Sequence, residues 1–186
     1  MDIFDVISSR RSIKKYTDRS ISHEAIKQLL EIAVQAPNHR MTEPWRFYVL
    51  GPESRAGFGA ALGARKAKRV EEPAAAEAVL HKVEESHRAL PAMLAVSMAL
   101  DDNPEIREED YASTFMAIQN LCLAAHVMGL GTHLKSGAVM DDPSARAAVG
   151  VGEGERIVAT ISLGEPSELP VAKPRHEASD FTTWVP

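Results

Sequence analysis

Two hydrophobic patterns run through this chain, one with a helical period and one of nearly continuous apolar residues. Helical spacing, with capping residues at the starts and Pro or Gly near the ends, predicts helices over residues 2–9, 22–35, 54–67, 71–90 and 108–128. Runs of aromatic, β-branched and other apolar residues predict strands over residues 45–50, 93–100 and 156–164. With 186 residues, no internal repeat and no linker, the chain is expected to form a single domain, 1–186.

The pattern specifies these helices unequally. The segment 54–67 is rich in Ala and Gly, so it is only a weakly specified helix. The segment 108–128 is apolar on nearly every side, and we expect it to lie in the core or in a dimer interface. Its polar interruptions, Gln119, Asn120 and His126, are expected to be core groups with local partners.

Composition and charge argue against several classes of protein. A net charge of −5 and a pI near 5.8 argue against general nucleic-acid binding. No apolar run reaches membrane-spanning length, and the N-terminus lacks the apolar core of a signal peptide. The single cysteine, Cys122, lies between two leucines, which favours a buried thiol over a nucleophile and indicates a reducing cytoplasm.

A compact basic cluster follows the first predicted helix. The segment Arg10–Lys15 contains four cations and one hydroxyl, Ser12. Guanidinium groups and a hydroxyl suit a phosphate, although a solvated basic turn explains the same residues. A second polar loop, Asn38-His39-Arg40, lies between a helix end and a strand start. It could support a flat polar ligand, or it could be an ordinary connection.

Other patterns suggest chemistry weakly. His81 and Glu85 share a helix face and could ligate a metal, but a solvated, salt-bridged helix is the favoured explanation, since His87 lies off that face. The glycines at 129 and 131 and those at 150–154 do not form a dinucleotide-binding fingerprint, which needs a third correctly spaced glycine after a strand.

Four stretches taken together resemble the flavin-dependent nitroreductase family. They are Arg10-Arg11-Ser12, APNHRMTEPWRF at 36–47, QNLCLAAHVMGLGTH at 119–133, and LGEPSELPVAKPR with FTTW at 163–184. Their order and spacing fit the compact, minimal branch of the family. The resemblance implies an α+β fold, with a mixed or antiparallel sheet wrapped by helices. It also implies a domain-swapped homodimer that holds two FMN molecules at the subunit interface.

The resemblance also implies cofactor-binding residues near the two ends of the chain. Arg10-Arg11-Ser12 matches the family's contacts with the FMN phosphate and ribityl chain. Lys14 matches a cation near the pyrimidine side of the flavin ring. Lys173 and Arg175 match cations near the phosphate.

Further matches lie in the middle of the chain. Asn38 and His39 match the loop that reaches the flavin of the other subunit, and Gln35 lies one turn earlier. Leu134-Lys135-Ser136 matches the segment along the isoalloxazine edge. Two departures stand out: Glu43 replaces a common Gln before Pro-Trp, and Lys135-Ser136-Gly137 lacks the usual acidic residue beside a glycine.

The chemistry of FMN agrees with these matches. The basic cluster can bind its phosphate, and a cation such as Lys14 or Lys135 can stabilise the negative charge that reduction leaves near flavin N1. FMN carries the reaction, so we predict no catalytic side chain and no metal.

The first hypothesis is therefore an FMN-dependent oxidoreductase. It takes a hydride from NADH or NADPH and reduces a nitroaromatic, a quinone or an enone by ping-pong kinetics. The alternative is a flavin-binding module that stores or senses FMN without turnover. A nucleic-acid binder that uses the basic cluster is a third hypothesis, and it predicts a colourless protein.

Overall fold

The computed structural model of the protein describes residues 2–186. Its helices are α1 Ile3–Ser9, α2 His23–Ala33, α3 Pro52–Ala67, α4 Pro73–Arg88, α5 Pro104–Val127 and α6 Pro143–Val149. Its strands are β1 Trp45–Val49, β2 Ala92–Ala99, β3 Gly131–Lys135 and β4 Glu155–Gly164. Short 3-10 helices cover Ala138–Asp141 and Ala178–Phe181.

The four strands form one antiparallel sheet in the order β1-β2-β4-β3. The central strand β2 pairs with β1 through Trp45 and Met98, and with β4 through Ala92 and Leu163. Strand β3 pairs with the other side of β4 and lies at the sheet edge. This antiparallel sheet between helices confirms the predicted α+β fold.

Strand β2 is buried on both faces, which explains its continuous apolar run. Leu94 and Val96 belong to a core that includes residues of α2 and α5. Met93 and Ala95 belong to a second core that includes residues of α3 and α6. The sheet therefore lies between two helical layers, and α4 packs against α3.

The α3–α4 pair depends on a close approach at Gly59. A Cβ there would lie 2.8 Å from the His87 Cβ and 2.9 Å from the Val83 carbonyl oxygen. Real Cβ atoms essentially never come this near, so glycine lets the two helices pack. The glycine content that weakens the helical prediction for α3 thus has a packing role.

Helix α5 begins four residues before its predicted start at residue 108. Asn103 caps it, because its side chain accepts from the Glu105 amide at 2.9 Å, and Pro104 occupies the first helical position. Its first turn, residues 104–107, contains one partly buried apolar residue, Ile106, between charged ones, so an apolar period does not reveal it. Strand β3, α6 and both 3-10 helices are also absent from the predicted elements. Strand β3 and α6 are as long as β1 and α1, which the sequence predicts, but the small and polar residues of β3 and α6, GTHLK and PSARAAV, give no clear hydrophobic pattern.

The polar residues of α5 correct another prediction. Gln119 is exposed, and Asn120 and His126 are only half-buried, so they are not core groups. Asp110 and Thr114 are buried instead. They lie nearer the start of the helix.

Candidate functional site

The basic segment after α1 runs along the edge strand β3. Ser12 forms a parallel bridge with Thr132, and the Ile13 amide donates to the Thr132 carbonyl at 2.9 Å. The buried Ile13 side chain lies directly over Gly131. A Cβ at Gly131 would lie 2.5 Å from the Ile13 Cγ1, so this approach requires glycine. These contacts fix Arg10–Ser12 at the sheet edge.

The chain returns to the same place after β4. The Thr17 amide donates to the Glu165 carbonyl at 2.9 Å, and the Ser167 amide donates to the Lys15 carbonyl at 3.2 Å. These backbone bonds join the start of the C-terminal tail, residues 165–186, to the end of the basic segment. As a result, the cations of the tail, Lys173 and Arg175, lie near those of the basic segment.

The two segments line a cavity of about 710 Å³. Six of the residues predicted to bind FMN line it together: Arg10, Arg11, Ser12, Lys14, Lys173 and Arg175. The N-terminal and C-terminal parts of the predicted phosphate site therefore meet in one protomer.

The charge of this cavity is largely uncompensated. Its carboxylate, Glu168, forms an ion pair with Lys15 at 3.0 Å. Arg11 donates from Nη1 to the Ser8 carbonyl at 2.7 Å. In residues 2–186, five cations of the cavity have no ion-pair partner: Arg10, Arg11, Lys14, Lys173 and Arg175. Such an arrangement favours a ligand with several negative charges.

A second, more apolar cavity of about 720 Å³ also includes Arg10 and Arg11 in its lining. His126 lies in it, 2.7 Å from the Ser9 hydroxyl oxygen. Ser9 donates its hydroxyl proton to the Asp5 carbonyl at 2.5 Å, so its oxygen accepts from His126. This pair is therefore not arranged as a nucleophile and a base.

Lys135, at the end of β3, is linked to the cationic cavity by charge. Its Nζ lies 3.5 Å from Nε2 of the buried His87 on α4. Burial lowers the pKa of Lys135, and the positive charges of Lys66 and Lys14 lower it further. Lysines from three separate parts of the chain thus act on one another here.

Sequence reasoning missed several members of this cationic group. Burial, Lys135 and Lys14 together lower the pKa of the half-buried His133. Lys66 on α3 and His87 on α4 lie far from Lys135 in the chain, and no local motif connects them. The other predicted residues of this segment, Leu134 and Ser136, are exposed.

The loop after α2 is built around hydrogen bonds of the Asn38 side chain. The Asn38 Nδ2 donates to the Ser113 hydroxyl at 3.3 Å, while its Oδ1 accepts from the Glu43 amide at 2.8 Å. Met41 and Glu43 have positive φ angles of 51° and 43°. The backbone of Glu43 makes the loop contact, so the replacement of the family's common Gln leaves this hydrogen bond intact.

The loop is also tied to α5 by charge. Glu109 accepts from Arg40 Nε at 2.9 Å and lies 3.1 Å from His39 Nδ1. Arg40 and His39 lower the pKa of Glu109. Gln35, Asn38 and His39 are not among the residues that line the cationic cavity of the same protomer.

The metal hypothesis for α4 gains no support. His81 lies 3.7 Å from Glu77 and 3.9 Å from Glu84, which are exposed or partly exposed ion-pair contacts. Residues 2–186 contain no group of three His, Cys, Asp or Glu side chains that could hold a metal ion. Over the same residues, no helix combines the length and apolar character needed to cross a membrane.

Comparisons with known proteins give a consistent result. The family model described as "Nitroreductase family" matches residues 7–165. YfhC of Bacillus subtilis, provisionally named an NAD(P)H nitroreductase, is 37% identical over 180 residues, covering 96% of this chain and 92% of YfhC. A crystal structure of a nitroreductase-like family protein from Bacillus cereus is 28% identical. It has a TM-score of 0.86 and covers 100% of this chain and 96% of that one.

A protein from Desulfovibrio desulfuricans, provisionally named a nitroreductase and solved in complex with FMN, has the same fold. Its TM-score is 0.74 at 22% identity, and the match covers 98% of this chain and 96% of that one.

Proposed function

Since this chain belongs to the nitroreductase family, we propose that it is an FMN-dependent oxidoreductase that uses NADH or NADPH. Its acceptor is a small nitroaromatic, quinone or enone, and it works as a single domain, 1–186, in the cytoplasm. The observation that carries this proposal is the cavity of unpaired cations, which draws its residues from both ends of the chain.

The donor set of the cavity fits FMN. A phosphate dianion requires several charge-assisted donors, and Arg10, Arg11, Lys173 and Arg175 provide them, with the Ser12 hydroxyl beside them. Arg11 is already oriented by its bond to a backbone carbonyl. The relative from Desulfovibrio, which binds FMN, supports this choice of cofactor through its shared fold.

The protein's own residues bind and orient, while the cofactor reacts. FMN, when bound, supplies the redox chemistry that connects the nicotinamide to the acceptor. Lys14 and Lys135 would hold positive charge beside the bound ring, and this charge would make reduction of the ring more favourable. No side chain in this scheme acts as a general base.

We further propose a domain-swapped homodimer with FMN at the subunit interface. Large apolar side chains are exposed in the protomer on α1, at the end of α5 and on the tail. Phe4 is 79% exposed, Val127 60% and Trp184 91%. A second copy that covers these positions would remove them from water. In this dimer, Asn38 and His39 would contact the flavin of the partner subunit, and Gln35 would support the same loop.

The cofactor proposal is tested with the purified protein. Mass analysis of the released cofactor should show FMN, and anaerobic addition of NADH or NADPH should remove the visible absorbance of the bound flavin. A protein that binds no flavin on reconstitution, or that contains FAD, would refute the proposal. A yellow protein that neither nicotinamide reduces would support flavin storage instead.

A mixed dimer tests the shared site and the ping-pong scheme. One subunit carries Arg10→Ala and Arg11→Ala, and the other carries Asn38→Ala and His39→Ala. If the loop acts across the interface, one site receives both defects and the other none, so about half of the wild-type activity should remain. Activity far below half, or intersecting double-reciprocal lines, would contradict the scheme.

A further inference from the structure

His87 is a buried histidine that does not line the cationic cavity, and its two ring nitrogens have different partners. It is only 5% exposed. Its Nδ1 lies 2.7 Å from the Val83 carbonyl oxygen, and its Nε2 lies 3.5 Å from the Lys135 Nζ. A carbonyl can only accept, so Nδ1 carries the proton, and Nε2 presents its lone pair to the Lys135 ammonium.

The packing of the helices holds the His87 ring in this orientation. At Gly59, α3 approaches so closely that an added Cβ would lie 2.8 Å from the His87 Cβ. The Phe58 ring, also buried, has its centroid 6.2 Å from that of His87. The ring therefore has little freedom to turn away from β3.

The surroundings of Lys135 disfavour its charge. Burial is the largest effect, and the positive charges of Lys66 on α3 and Lys14 on the basic segment act in the same direction. His133 on β3 belongs to the same group. Burial also lowers the pKa of His87, and Lys135 and Lys66 lower it further, although the Val83 hydrogen bond opposes this change. His87 is therefore a neutral acceptor among cations.

We propose that His87 is a positioning residue that accepts a hydrogen bond from Lys135 and so keeps Lys135 both oriented and cationic. The link to the cofactor rests on the proposed function, in which Lys135 lies along the edge of the flavin. Helix α4 would then influence the flavin without contacting it. Because the His87 ring is neutral, it accepts this hydrogen bond and leaves the positive charge of Lys135 uncompensated. A carboxylate in the same place would compensate that charge.

The first test uses the cofactor-free full-length protein and is independent of flavin binding. The Nζ resonance of Lys135 is followed by NMR as the pH is raised, with Lys135→Met for assignment. His87→Leu removes the acceptor, and the Lys135 titration should move down by about one pH unit or more, at least tenfold in the proton dissociation constant. His87→Gln can retain an acceptor at the same place and should titrate close to wild type.

A matched control is His81→Leu, on the same helix but 64% exposed, which should leave the Lys135 titration unchanged. If His87→Leu titrates like wild type, the proposal is overturned. Should that variant fail to fold, the 15N spectrum of the wild-type histidines decides the matter. The proposal requires the Nδ1–H tautomer at His87, and the Nε2–H tautomer would overturn it.

The second test addresses the cofactor. The midpoint potential of bound FMN is measured at a pH between the Lys135 titrations of wild type and His87→Leu, and again two pH units below both. The Leu variant should have the more negative potential only at the higher pH, and His87→Gln should follow wild type. Equal potentials at both pH values would overturn the link to the flavin. Absence of flavin from the wild-type protein would refute the proposed function, while the NMR result would stand.

Discussion

The close packing of Ile13 on Gly131 predicts the effect of adding one methyl group at Gly131. Gly131→Ala places a Cβ at 2.5 Å from Cγ1 and 2.6 Å from Cβ of Ile13. Rotation of the Ile13 side chain cannot relieve the second contact, because the position of its Cβ is set by the backbone. The basic segment must therefore move away from β3, and Arg10–Ser12 must move with it.

The size of this effect follows from the distances. Carbon atoms in good contact lie about 3.5 Å apart or more, so the two backbones must separate by about 1 Å. Overpacking of this kind costs about 1–3 kcal/mol, which lowers the Tm of a chain of this length by roughly 2–12 °C. If the shift also breaks one charged hydrogen bond to the phosphate, FMN affinity falls roughly ten- to hundredfold.

Two measurements separate these effects. Thermal unfolding without FMN reports the packing cost, and a fluorescence titration of FMN into the cofactor-free protein reports the affinity. Gly152→Ala is the control, because a Cβ there would meet nothing nearer than the Glu155 Oε1 at 4.0 Å. An unchanged Tm would refute the packing argument. A lower Tm with unchanged affinity would show that the basic segment does not hold the phosphate.

Three further changes have defined outcomes. Arg10→Ala removes an unpaired cation, so the fluorescence titration should show roughly ten- to hundredfold weaker FMN binding. Glu109→Gln removes a carboxylate whose pKa Arg40 and His39 hold below its ordinary 4.5. The carboxylate therefore raises the free energy of unfolding above pH 4.5, and this contribution is lost as the pH falls through the lower pKa of the folded state. Chemical denaturation at several pH values measures this change. Truncation after Pro174 should lower the Tm and shift the sedimentation profile toward monomer.

Each of these changes has a contrary result. An unchanged dissociation constant would remove Arg10 from the phosphate site. For Glu109, the matched control is Glu31→Gln, because the Lys27–Glu31 pair is exposed and long at 3.9 Å. An effect of Glu109→Gln no larger than that of this control at neutral pH would contradict a role in holding the loop. A stable truncated dimer would show that the tail is not needed for association.

The sequence predicts an element when that element's own hydrophobic pattern is sufficient. It does not predict elements whose structure depends on packing against other parts of the chain. The run at β2 predicts a buried strand because both of its faces lie in the core. Strand β3 begins with two small residues, Gly131 and Thr132, and its sequence shows no strand pattern. It becomes a strand by pairing with β4. Helix α3 is weakly specified because Gly59, which lowers helix propensity, serves contacts with α4 that its own sequence does not reveal.

The candidate site divides in the same way. The cations at 10–14 and 173–175 stand out as local clusters, and the structure brings them to one cavity. The environment of Lys135 could not be predicted, because Lys66 and His87 reach it from two helices remote in the chain. Gly131 likewise resembled part of a failed motif, while its role is to admit Ile13.

The strand order determines when the sheet can form as the chain is synthesised. Ala92 pairs with Leu163 and Ala99 with Glu155, so the central strands close loops of about 55–70 residues, and sheets built on such distant pairings form slowly. The α3–α4 hairpin involves only near neighbours and can form as soon as it leaves the ribosome. Strand β2 follows it immediately and can pair with β1, but its other edge stays open, with apolar residues on both faces, until β4 has been synthesised. During that interval β2 is the segment through which nascent chains would aggregate.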